Sequence, residues 1–186
     1  MSKIFSVFII ISFTVLMIAC NNNQAQTSSN KTPDKKEIQA GGDQKEKKSS
    51  INKAPDFALE NNKGEIVRLS SFNNKVVVLN FWATWCGPCR QEIPDFVNLY
   101  NEYKDDGLEI IGVSVDQNGW DAVKPFMKRY KINYPVLMYN YQVVMDYGGI
   151  QGIPTTFFIN RNGEIVEKIV GARPNSYFEQ RIKQLL

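Results

Sequence analysis

Two of the chain's three cysteines, Cys86 and Cys89, stand in the stretch NFWATWCGPCRQEIP, residues 80–94. A C-x-x-C pair has three chemistries open to it: a structural staple, half of a metal clip, or a reactive dithiol. A zinc clip needs about four ligands. The chain has three cysteines and no histidine, so a metal site is not expected. As a staple the pair is weak, because cross-link stabilisation grows with the length of the closed loop. Thiol–disulfide exchange suits the spacing better. At a helix start the dipole and the free N–H groups favour a thiolate on the first cysteine. The second lies one turn on, within reach to resolve a mixed disulfide. The missing histidine also excludes His-dependent triads and Cys–His nucleophiles.

The elements that must position this pair can be read around it. Ala54-Pro55-Asp56-Phe57 opens the domain, and FALE and EIVRL flank the turn-like NNKG (61–64), which predicts an N-terminal hairpin. The valine-rich run KVVVLNFW, from Lys75 to Trp82, fits a strand buried on both faces. Ile93, Phe96, Val97 and Tyr100 recur at helical spacing after the cysteines, with Pro94 expected to kink that helix. LEIIGVSV (108–115) predicts a second buried strand. An amphipathic helix follows over 120–130, with Val123, Phe126, Met127 and Tyr130 on one face. A short strand is expected over 134–139 and a short helix over 142–147. TTFFIN, the turn Arg161-Asn162-Gly163 and EIVEKIV make the clearest hairpin. A helix from about Asn175 closes the chain, with Phe178, Ile182 and Leu185 facing inward. Parallel strands joined by helices, then an antiparallel hairpin, give an α/β domain: a mixed central sheet flanked by helices on both faces.

The regions before this domain read differently. Residues 1–19 carry one lysine and then 15 uncharged residues from Ile4 to Ile18. That is the size of a signal-peptide core and short for a membrane span. Ala19 then precedes Cys20. The pattern resembles a bacterial lipoprotein leader, which implies cleavage before Cys20 and acylation of its thiol. An uncleaved N-terminal anchor and a secreted form are the other readings, and all three place the domain outside the cytoplasm. Residues 20–50 form the expected tether: from 21 to 50, Ile38 is the one residue drawn from Ile, Leu, Val and Phe. From residue 51 onward there are 15 Lys+Arg and 15 Asp+Glu. A neutral domain of this kind gives no sign of a nucleic-acid surface.

FWATWCGPC, Pro94 and IPTT (153–156) together resemble the thioredoxin fold. The opening APDFALENNKG, VRLSSF and the ending TTFFINRNGEIV are similar to the TlpA/ResA-like thiol–disulfide oxidoreductases, over nearly all of 53–186. This family is related to the AhpC/TSA group and its members are membrane-anchored. The resemblance implies an N-terminal hairpin and a central αβ insertion added to the fold. It makes Cys86 the attacking thiolate and Cys89 the resolving thiol, with no cofactor beyond their redox-active disulfide. Pro154 matches the family's cis-proline, and Ile153 would pair backbone to backbone with a substrate chain. An ordinary strand-edge proline is the plainer reading of Pro154.

Asn80 stands where thioredoxin has a buried aspartate and cannot titrate. Glu92 matches a family glutamate and is the expected proton acceptor or donor for the pair. The plainer reading makes it a solvated surface residue. Trp85, Gly87 and Pro88 would line the docking surface, while Trp82 reads equally well as core and Thr155 as structural with a secondary role near the site. Gly87-Pro88 is shared with thioredoxins, whose potentials lie near −270 mV against about −120 mV for DsbA, which implies a reductant. The resemblance further implies electrons from a membrane carrier of the DsbD/CcdA kind. Substrates would be envelope proteins with disulfides, apocytochrome c among them. Alternatives are an oxidant that introduces disulfides and an AhpC/TSA-type peroxidase. The peroxidatic Pro-x-x-x-Thr-x-x-Cys pattern is absent, since Leu79 and Ala83 hold its positions. Copper delivery of the Sco type lacks its histidine.

Overall fold

The computed structural model describes residues 53–186; the leader, Cys20 and the tether lie outside the described residues. An antiparallel hairpin, β1 (Ala58–Glu60) and β2 (Ile66–Arg68), opens the domain. Asn61 starts its turn, with Oδ1 accepting the N–H groups of Lys63 and Glu65. The main sheet has five strands in the order β5-β4-β3-β6-β7. The central strands β3 (Val76–Trp82) and β4 (Leu108–Ser114) are parallel and buried at every residue. This is why their sequences read as unbroken apolar runs. β5 (Val136–Met138) adds in parallel to β4. β6 (Thr155–Ile159) runs antiparallel to β3, and β7 (Ile165–Val170) antiparallel to β6.

Four helices connect and cover the strands: α1 (Gly87–Tyr103), α2 (Gly119–Tyr130), α3 (Tyr141–Asp146) and α4 (Asn175–Leu185). α1 continues through Pro94 as one element. The bounds of the later elements differ from expectation by one or two residues: the strands shorten, most at β5, while α2 and α3 each begin one residue earlier. Val115, expected in the second strand, extends its ladder by donating to Trp82 O at 2.9 Å.

Side chains alternate across the sheet into two apolar clusters. One takes Val76, Val78, Trp82, Ile110 and Phe158 with Ile93, Phe96 and Leu99 of α1, Val123 of α2, and Phe178 and Ile182 of α4. The other takes Val77, Leu79, Phe81, Ile111 and Phe157 with Phe57 and Leu59 of the N-terminal segment and Val143 of α3. β5 and α3 lie in the chain between α2 and β6, where the central αβ insertion is expected, and Asn61 bridges to Leu137 so that the hairpin meets the β5 edge. Among the described residues no helix is long and apolar enough to cross a membrane.

Gly112 lies in β4 where the Trp82 indole crosses the strand. A Cβ built there would meet Trp82 Nε1 at 2.8 Å and Tyr134 Cε2 at 3.3 Å. The Gly112→Ala variant is expected to lose about 1–3 kcal/mol of unfolding free energy, as overpacking of a filled core does. Urea denaturation against wild type measures it.

Candidate active site

The site forms where β3 ends and α1 begins. Cys86 is the N-cap of α1 in extended conformation, Gly87 and Pro88 make the first turn, and proline is well tolerated there. The Cys86 Sγ accepts the Cys89 N–H at 3.2 Å, so the sulfur occupies the place of a capping oxygen. Cys86 and Cys89 are joined in a disulfide. Both are buried, at 5% and 1% exposure, while the adjoining Trp85 is 68% exposed. Gly87 and Pro88 are exposed, and a Cβ added at Gly87 would meet nothing. The rim beside Cys86 is therefore open.

The loop before β6 closes the other side. The Ile153–Pro154 peptide is cis, and Cys86 Sγ lies 3.7 Å from the Ile153 carbonyl oxygen. Thr155 Oγ1 donates to Gly152 O at 2.6 Å and is fully buried, so it braces the loop from within. Beyond Ile153 an open groove is walled by Trp85, Val115, Tyr139, Val144 and Ile150. It contains no carboxylate, lysine or arginine.

Glu92 sits one turn past Cys89 on the same side of α1. It is 2% exposed, which removes the solvated-surface reading. Its Oε1 accepts the Arg173 N–H at 2.8 Å, while its Oε2 is buried with no hydrogen-bond partner. Loss of solvent pushes its pKa from 4.5 up to about 7, against the pull of the Arg173 N–H and guanidinium. Asn80 is also buried, and its Nδ2 donates to Thr156 Oγ1 at 2.9 Å. Trp82 is core, its ring tilted at 42° to that of Phe126 with centroids 5.2 Å apart. Among the described residues no three potential metal ligands converge.

Some participants were not foreseen. The loop after β7 ties two parts of the site together: Gly171 N donates to Pro154 O at 2.8 Å and Arg173 N to Glu92. These are backbone donors in a segment with no pattern of its own, so no sequence signal could find them. Asp116 is buried and accepts from Thr84, two residues before Cys86. A signal existed in this case: an acidic residue directly past the C-terminal end of a buried parallel strand, where open α/β sheets place their ligands.

The buried Glu92 makes stability depend on pH. A raised carboxyl pKa means that the folded chain binds the proton more tightly than the unfolded chain. The stabilisation is therefore complete below about pH 4.5, declines up to about pH 7 and is level above it. At 1.36 kcal/mol per pH unit, the decline between pH 5 and 8 is about 2–3 kcal/mol. With no histidine in the chain, that window is free of imidazole titration. Urea unfolding of the oxidised protein should show this slope, and Glu92→Gln should flatten it.

Comparison with known proteins gives a consistent result. Residues 51–168 match the model of the AhpC/TSA family. The chain is 40% identical over 132 residues to thiol-disulfide oxidoreductase ResA of Bacillus subtilis, covering 71% of this chain and 73% of the relative. It is 39% identical over 127 residues to the ResA of Halalkalibacterium halodurans, covering 68% and 72%. Among solved structures it resembles a thiol:disulfide interchange protein of the thioredoxin family from Chlorobium tepidum, with TM-score 0.67, 34% identity and coverage of 72% and 95%. It also resembles the thioredoxin domain of a thiol-disulfide oxidoreductase of Bacteroides vulgatus, with TM-score 0.64, 29% identity and coverage of 72% and 95%. With a cysteine pair at a helix start on this sheet, and with these matches, the chain belongs to the AhpC/TSA family and, within it, to the ResA-like thiol–disulfide oxidoreductases of the thioredoxin fold.

Proposed function

We propose that this oxidoreductase works as a reductant of protein disulfides on the outer face of a membrane, anchored through lipid on Cys20. The observation that carries the dithiol mechanism is Glu92, a buried carboxyl one turn below Cys89 with one oxygen free of any hydrogen bond. A static staple has no use for such a group. A thiol that must lose and regain a proton out of contact with water does.

The residues divide the reaction as follows. In the reduced enzyme the Cys86 thiolate, favoured by the N-terminus of α1, attacks one sulfur of a substrate disulfide. The substrate's other sulfur leaves as a thiolate and takes a proton from solvent. The substrate backbone lies along Ile153, its flanking side chains in the groove beside Trp85. Cys89 passes its proton to the Glu92 carboxylate and attacks Cys86 Sγ. The mixed disulfide breaks, the substrate leaves with both sulfurs reduced, and the enzyme holds the Cys86–Cys89 disulfide with Glu92 protonated. Two electrons have moved to the substrate. No cofactor is needed beyond the cysteine pair.

Renewal of the dithiol outside the cytoplasm requires a membrane carrier of the DsbD/CcdA kind. The direction rests on Gly87-Pro88, shared with strongly reducing thioredoxins, and the location on the lipoprotein-like leader. Envelope proteins with exposed disulfides are the substrate class, and apocytochrome c, with its C-x-x-C-H thiols, is one member.

The reduction potential against glutathione and dithiothreitol buffers tests the direction. A value near or below about −250 mV is expected, and one near about −120 mV would make the protein an oxidant. Cys89→Ser should trap the mixed disulfide with a substrate and Cys86→Ser should not. Glu92→Gln should slow resolution by about 100-fold at pH 7, within the range for a positioned base. In the wild type the same step should accelerate as pH rises through about 7, since the base must be ionised. Stopped-flow decay of the mixed disulfide reads both effects.

A further inference from the structure

Trp85 presents an unusual mechanical problem. An indole that is 68% exposed is not fixed by packing, yet it stands beside the attacking sulfur and walls the groove. Its aim must come from the backbone on either side. On the C-terminal side that backbone is held by α1, with Cys86 as its cap and Cys86 N donating to Ala83 O at 3.2 Å. On the N-terminal side stands Thr84, and both of its donors end on one side chain. The Asp116 carboxylate accepts Thr84 N at 2.9 Å through Oδ2 and Thr84 Oγ1 at 2.5 Å through Oδ1.

Asp116 is itself immobilised. It is 3% exposed, and its Oδ2 also accepts from Ser114 Oγ at 2.8 Å. Its backbone follows Val115, which bonds to Trp82 O and forms another wall of the groove. Its carbonyl accepts Gly119 N at 3.1 Å, at the first residue of α2. The carboxylate thus joins the end of β4 to the loop between β3 and α1, across the two sides of one groove. Charge-assisted hydrogen bonds of this kind are short and directional. The bonds to Thr84 fix the peptide immediately before Trp85.

We infer that Asp116 is a positioning residue for substrate docking: it clamps Thr84 so that Trp85 is held against the groove in the orientation a polypeptide substrate meets. Resting on the proposed docking of substrates at Trp85 and Ile153, this inference adds the residue that sets the docking geometry. Asp116 touches neither cysteine by hydrogen bond, and α1 holds both of them independently of it. Its loss should therefore weaken the encounter more than the exchange step.

The test is steady-state reduction of insulin by the full-length protein, with dithiothreitol regenerating the dithiol. Asp116→Ala should raise KM about tenfold while kcat stays within threefold of wild type. Asp116→Asn keeps an acceptor for Thr84 N and should recover at least half of that loss on a logarithmic scale. A purely structural role would lower the melting temperature and active fraction, which changes kcat and leaves KM alone, and that outcome overturns the assignment. If Asp116→Ala does not fold, Thr84→Val, which removes only the hydroxyl bond, should raise KM about threefold; an unchanged KM there overturns it as well. The docking reading is judged separately on the wild type. If its kcat/KM for insulin does not exceed that for glutathione disulfide, docking at Trp85 fails and takes this inference with it. If wild type prefers insulin and Asp116→Ala keeps KM within twofold, docking stands and the role of Asp116 falls.

Discussion

A carboxyl group inside an apolar layer must be paired, neutral, or both, because an isolated buried charge is far too costly to keep. Glu92 meets this constraint halfway. It has one hydrogen bond, from a backbone N–H, and no ion pair, so desolvation dominates and holds its titration near neutrality. Much of the surrounding architecture follows from keeping it there. α1 must carry Glu92 to the same side as Cys89. The loop after β7 must reach in to supply the Arg173 N–H. Tyr134 and Asp95 add no positive charge, and Asn80 offers no second titrating carboxyl. A lysine or arginine side chain in contact with Glu92 would pull the carboxyl back toward its ordinary range.

The backbone of the loop at 171–173 also links this acid to the cis-proline loop beside Cys86. Gly171 holds the Pro154 carbonyl and Arg173 holds Glu92, two residues apart along the chain. Gly171 takes a positive φ of 86°, a conformation that glycine adopts without steric cost. The two contacts therefore share one short segment of backbone.

Most of the fold was legible in the sequence because its central strands are buried on both faces, and such strands announce themselves as apolar runs. The Asn-Gly turn at 162–163 and the helix periodicities around Phe96 and Phe178 carried the remainder. The reactive stretch was legible for a different reason: C-x-x-C, tryptophans and IPTT are local chemistry. What stayed hidden was everything that depends on two distant segments meeting. Glu92 could be placed on a helix face by spacing, but its burial depends on the loop at 173, 81 residues away. Asp116 and Thr84 are 32 residues apart, and nothing in either neighbourhood names the other. Trp82 and Trp85, three residues apart and alike in sequence context, end at 1% and 68% exposure; only the end of β3 between them separates core from rim.

The sheet divides its labour between its two sides. Cys86 and Cys89 belong to the cluster under α1, whose neighbours are Trp82, Ile93 and Phe96. Tyr139, Val144 and Ile150, which wall the groove, pack instead on the opposite cluster with the N-terminal hairpin segment and α3. Val115 and Ile153 touch both. The groove and the cysteine pair are thus built on separate foundations that meet at a two-residue seam. β5 serves both sides, with Val136 and Met138 packed on the cysteine cluster and Leu137 on the opposite one, so a change in that strand reaches both halves, whereas α3, through Val143 and Val144, can vary with consequences for the groove side alone.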